Sequence, residues 1–130
     1  MTVILAHAPD DAADAALDAA LEQARWRGTA LVVVNVASGE ALIDPRIASE
    51  GAVHAVVERG RTAGVETSVE QPVDDDVAAA VLSAAQAHGA TVVVVGCRRR
   101  SPVGKLLLGS VSQRIVLEAD CPVLCVKAPR

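Results

Sequence analysis

Residues Thr91–Val95 hold four successive valines and close on Gly96. A short run that is β-branched and apolar on both faces makes a strand with no side to turn to water. Such a strand needs helices above and below it, which is the arrangement of a parallel sheet in an α/β sandwich. TALVVVNV, residues Thr29–Val36, repeats the pattern, and Thr2–His7 is a third, mostly apolar run. Between these runs the apolar period changes from continuous to helical. In Ala12–Arg25, Leu17, Leu21 and Ala24 recur at three- and four-residue steps, with Asp10 or Asp11 as a cap before them and Gly28 after them. Ile47–Arg61 is a second helix, interrupted by Gly51 and Gly60. Val65–Val69 alternates like an edge or half-exposed strand. Asp74, Asp75 and Asp76 crowd the start of a third helix, where the dipole favours negative charge, and Gly89 ends it. A fourth helix, about Ser110–Ala119, leads to a last strand at Pro122–Lys127. The order is βαβαβαβαβ in one domain spanning residues 1–130, with connections that suit parallel crossovers.

Composition narrows the function classes. The only aromatic residue is Trp26, so the core is built from Val, Leu, Ile and Ala, whose size suits helices packed closely on a sheet. A formal charge of −4 argues against a general nucleic-acid binder. No apolar run reaches the roughly 18 to 20 residues of a membrane span, and MTVILAHAPDD turns acidic too soon for a signal peptide. Cys97, Cys121 and Cys125 form no disulfide framework, and Cys121 and Cys125 would stand about 13 Å apart along one strand. The expected setting is therefore the reducing cytoplasm. Histidine and cysteine spacing offers no zinc site, and no catalytic triad or carboxylate pair emerges.

The stretch Gly96, a basic loop, then GSVSQRIVLEADCPVLCV resembles the C-terminal signature of the universal stress protein family. DDDVAAAVLSAAQAHGATVVVVG is similar to the family's third helix and fourth strand, and AALDAALEQAR to its first helix. The resemblance covers nearly the whole chain and is most specific over Gly109–Val126. It implies an adenine-nucleotide α-hydrolase-like fold: a three-layer sandwich around a five-stranded parallel sheet in order 3-2-1-4-5, with helices on both faces. It also implies a homodimer paired through the last strand, Pro122–Lys127, and a site for ATP or another adenine nucleotide. The family's binding members carry glycine, two residues, glycine, nine residues, then glycine and serine or threonine. Gly96 matches the first position and Gly109 with Ser110 the last pair, while Arg99 stands at the second glycine. The family's aspartate after the first strand aligns with Ala8, and Asp10 lies two residues on.

That strand order sets the ligand outside the carboxyl ends of the first and fourth strands. The resemblance then assigns Gly96, Gly109, Ser110, Val111 and Ser112 to phosphate and ribose, Val36 and Val95 to the border of the base, and Ala8, Arg98 and Arg99 to substituted contacts. An arginine at 99 would be strained if the position needed positive φ, by about 1 kcal/mol or more. Alternatively, Arg98, Arg99 and Arg100 with Lys105 would hold phosphate through their side chains. RRRSPVGKL is not a P-loop, because it lacks the leading glycine and the hydroxyl residue after lysine. His7 ends the first strand at the same edge and serves either packing or the site. Cys97 sits beside three arginines, a setting that makes redox sensing one hypothesis for it. Three functions fit: a regulatory module with an atypical adenine-nucleotide site, a protein-interaction module that has lost the pocket, or a slow ATP hydrolase with no identified base.

Overall fold

The valine runs become the middle of the sheet. A computed structural model describes residues 1–37, 48–99 and 106–129. The elements are β1 (Thr2–Ala6), α1 (Ala13–Arg27), β2 (Ala30–Val34), α2 (Glu50–Thr62), β3 (Thr67–Glu70), α3 (Val77–Ala87), β4 (Ala90–Arg99), β5 (Leu106–Leu107), α4 (Ser110–Glu118) and β6 (Val123–Lys127). Parallel ladders join β3 to β2, β2 to β1, β1 to β4 and β4 to β6. Counting the parallel strands alone, this is the expected order 3-2-1-4-5.

Alternation along each strand divides the core into two layers. Val3, Leu5, Leu31, Val33, Val92 and Val94 face α1, meeting Ala16, Leu17, Ala20, Leu21 and Ala24. Ile4, Val32, Val34, Val93 and Val95 face the other way, toward α3 and Ile115 of α4. Ala16, Ala20 and Ala24 repeat every four residues, so one side of α1 is nearly flat and sits close to the sheet. Gly28 ends α1 in the left-handed conformation at φ 64°, which lets its N–H reach the carbonyls of Ala24 and Arg25. Across the top, Arg59 of α2 pairs with Asp18 and Asp14 of α1, a solvent-exposed cluster whose energetic value is small.

Two expectations change. The second helix starts at Glu50 rather than Ile47, because the Ser49 hydroxyl accepts from Ala52 N at 3.2 Å and fixes the first turn there. The fourth strand does not stop at Gly96. It continues to Arg99, with Gly96 opposite Val126 and Cys97 opposite Lys127 on β6. Its last residues pair antiparallel with β5, Arg98 opposite Leu107 and Arg99 opposite Leu106. Position 99 is therefore extended strand, and no non-glycine residue among those described has positive φ. The strain expected for an arginine there does not arise. No helix among the described residues is long and apolar enough to cross a membrane.

Candidate functional site

Above the carboxyl ends of β1 and β4 lies a cavity of about 320 Å³, in the range of small-molecule sites. It occupies the point where strand order reverses, since β1 sends its chain to β2 on one side while β4 lies on the other. β1 supplies Leu5 and Ala6, and the turn after it supplies His7, Ala8, Pro9 and Asp10. Ala12, Ala13 and Ala16 form the α1 wall, Val77 and Val81 the α3 wall, and Gly109, Ser110, Val111 and Ser112 the α4 side.

Gly96 makes the back of this cavity possible. A Cβ there would stand 2.9 Å from the Cβ of Ala12 and 4.0 Å from Asp10 Oδ1. The start of α1 can approach β4 only because position 96 has no side chain. Asp10 holds that start in place: its Oδ1 accepts from Ala12 N at 2.9 Å. Asp10 therefore lines the cavity as a turn-forming residue, with one carboxylate oxygen already engaged.

On the opposite side, α4 opens at Gly109 with no side-chain cap. The first N–H groups of a helix have no partner within it, so Ser110, Val111 and Ser112 present unsatisfied donors and a positive dipole end at the cavity. Ser112 Oγ also donates to Gly96 O at 3.5 Å, tying the first turn of α4 to β4. A second tie runs through Arg114, whose Nη1 is 2.6 Å from Asp76 Oδ1 and whose Nε is 2.9 Å from Glu118 Oε2. Asp76 is also the N-cap of α3, accepting from Ala79 N at 3.1 Å. The Arg114 hydrogen bond, and then the Ala79 N–H, hold its carboxyl below the usual range. The acidic triplet is thus a helix start, and its Asp76 also meets Arg114 of α4.

Of the ten residues expected at the site, Ala8, Gly96, Gly109, Ser110, Val111 and Ser112 line the cavity. Val36 and Val95 are 3% and 1% exposed and belong to the core layer under α3 and α4. The side chains of Arg98 and Arg99 lie outside the described residues, as do residues 100–105 with Arg100 and Lys105. Ala12, Ala13 and Ala16 of α1 and Val77 and Val81 of α3 are wall residues that the sequence did not single out for the site. Nothing in the pattern distinguishes the two roles, because the ends of a packing stripe become the cavity wall. His7 does line the site. Burial pushes its pKa below the ordinary histidine value, against the pull of Asp10 and Asp14, so its imidazole is neutral at pH 7.

No group of three or more metal-binding side chains occurs among the described residues. The cysteines combine differently from expectation. Val95 pairs with Cys125 and Cys97 with Lys127, so Cys97 and Cys125 are diagonal neighbours on one face of the sheet. Burial, and then the contact with Cys97, push the Cys125 thiol pKa up. Cys121 stands apart at the other end of β6, its thiol also raised by burial and by Asp120.

With the fold and cavity in view, comparison with known proteins is informative. A profile of the Universal stress protein family matches residues 1–127. A universal stress protein of Mycolicibacterium smegmatis is 41% identical over 125 residues, covering 96% of each chain. A solved universal stress protein from Archaeoglobus fulgidus aligns with a TM-score of 0.81 at 31% identity over 97% of each chain. Another from that organism, in complex with dAMP, aligns at 0.69 and 24% identity over 97% of this chain and 96% of its own, a likeness of fold alone. Sequence signature, strand order and relatives of matching length all lead to one family, and this chain belongs to the universal stress proteins.

Proposed function

We propose that this chain is a stress-response regulatory module whose cavity takes an adenine nucleotide in an atypical way. The observation that carries the reading is the uncapped start of α4 facing a cavity at the reversal of strand order. Phosphate oxygens would accept from the N–H groups of Ser110–Ser112, helped by the Ser110 hydroxyl. The apolar walls from α1 and α3 suit the flat face of a base. A relative on this fold holds dAMP, which supports a nucleotide as the ligand class. Ala8 leaves no carboxylate at the position where the family's binding members have one, so the nucleoside end needs another polar partner. Calorimetry with ATP, ADP, AMP and cyclic AMP tests the reading. Binding of at least one at micromolar to submillimolar concentration is expected, and no heat at millimolar ligand overturns it.

A second reading, an interaction module without nucleotide, is favoured by Ala8 and by the engagement of Asp10 with Ala12 N. Nucleotide retained through purification would remove it. Either reading includes a homodimer through β6. This strand pairs with β4 alone among the described residues, so its outer edge offers unpaired backbone groups to another chain. Light scattering is expected to give twice the 13.3 kDa of one chain. A monomer at micromolar concentration would refute the dimer without touching the ligand reading.

A further inference from the structure

The cavity has four polar side chains, and two are already engaged. Asp10 accepts from Ala12 N, and Ser112 donates to Gly96 O. Ser110 sits at the helix start that suits phosphate. His7 remains: it lines the cavity from the β1 end, and its ring nitrogens make no hydrogen bond with any described residue. Its main chain is fixed, since His7 N donates to Val34 O at 2.9 Å and extends the β1–β2 ladder by one step. A half-buried imidazole with a settled backbone and nitrogens uncommitted among the described residues is free to answer a polar group, and His7 lines the cavity where a ligand would bring one.

We propose that His7 is the residue that holds the sugar of the bound nucleotide, exchanging a hydrogen bond with a ribose hydroxyl. The inference rests on the nucleotide reading given above. Chemistry selects the hydroxyl over the other ligand groups. A neutral imidazole has one donor and one acceptor, and a hydroxyl can answer either. Phosphate is a poor neighbour for this end, because Asp10 and Asp14 are the charged groups acting on His7 from the turn and from α1. α4 contributes serines and backbone N–H groups to the cavity and no titratable side chain. The two ends of the cavity are therefore complementary to the two ends of a nucleotide. The base has apolar walls from α1 and α3 to lie against, leaving the sugar between His7 and the start of α4.

A binding cycle tests this. AMP, 2′-deoxy-AMP and 3′-deoxy-AMP are titrated into the wild type, His7→Ala and His7→Gln by calorimetry. Loss of one neutral hydrogen bond is expected to weaken AMP about five- to tenfold in His7→Ala. His7→Gln, which keeps a donor and an acceptor, recovers most of that loss. One of the deoxy analogues is penalised by a similar factor in the wild type and by less than twofold in His7→Ala, while tripolyphosphate binds all three proteins alike. In the wild type, saturation with AMP shifts the His7 ring nitrogen resonances, a readout that needs no variant to fold. If AMP binds the wild type while the deoxy penalties are equal in wild type and His7→Ala, or the ring resonances stay fixed, the assignment of His7 is overturned and the nucleotide reading stands. If the wild type binds no nucleotide, both fall together.

Discussion

Ile115→Ala is expected to lower the unfolding free energy by about 3 kcal/mol, within the ~2–5 kcal/mol range for emptying a buried isoleucine site, and to abolish the proposed nucleotide binding with it. Ile115 is 0% exposed and is the only buried residue of α4. It inserts into the layer formed by Ile4, Val32, Val34, Val93 and Val95. The remaining attachments of α4, the Arg114–Asp76 pair and the Ser112–Gly96 hydrogen bond, lie at half-exposed or long geometry and contribute little. Without the isoleucine the helix has no hydrophobic hold on the sheet, so its first turn no longer stands at the cavity. Urea unfolding reads the stability loss. Hydrogen exchange separates the two effects: α4 amides should exchange much faster while those of β1 and β4 stay protected under native conditions. Val116→Ala on the same helix, at a position 39% exposed, is the control and should change stability by less than about 0.5 kcal/mol. Equal effects of the two substitutions would mean that α4 is not held by Ile115.

Gly60→Ala is expected to destabilise by about 2 kcal/mol, although alanine is the better helix former. In α2 the exchange should gain about 1 kcal/mol from propensity. Packing reverses the sign. A Cβ at position 60 would lie 2.0 Å from Thr67 Oγ1, 2.5 Å from Thr67 Cβ and 3.1 Å from Val65 O. Thr67 cannot turn aside freely, because its hydroxyl donates to Val65 O at 3.0 Å and its backbone is paired with Leu31 of β2. Relieving the clash requires α2 to move off β3, which is an overpacking cost of about 1–3 kcal/mol, here at its upper end. Thr67→Ala should relieve part of it, so the double variant loses less than the sum of the single losses. The cycle is read by chemical denaturation. A Gly60→Ala protein as stable as the wild type would show that α2 does not rest on Thr67.

The reach of the sequence can be judged from these same residues. Strand identities were legible because a valine run buried on both faces has few alternatives, and the order 3-2-1-4-5 followed from the resemblance. Gly60 looked like a weakness in a helix, since a sequence read alone shows propensity and not the strand lying across it. Gly96 looked like a strand end for the related reason that glycine usually marks one. What kept β4 extended was the ladder to β6, a partner thirty residues later, and the approach of Ala12 from near the other end of the chain. At the site, Gly109 and Ser110 were visible through the family motif that the sequence resembles. His7 was visible as a candidate but not as a polar group without a partner, which depends on everything around it. The diagonal proximity of Cys97 and Cys125 was hidden because spacing compares neighbours along one strand and not across two.

The two core layers close at different points along the chain. Among the described residues, the fully buried side chains of the α1 layer are in place by Val94, with Leu124 and Val126 packing on its margin later, whereas the opposite layer waits for Ile115 and the cavity for Gly109–Ser112. During translation, then, the nascent polypeptide can settle one half of its interior before it has any means of recognising a small molecule. The nucleotide proposed above would therefore find its site only after α4 has been made, too late to guide the first half of the core.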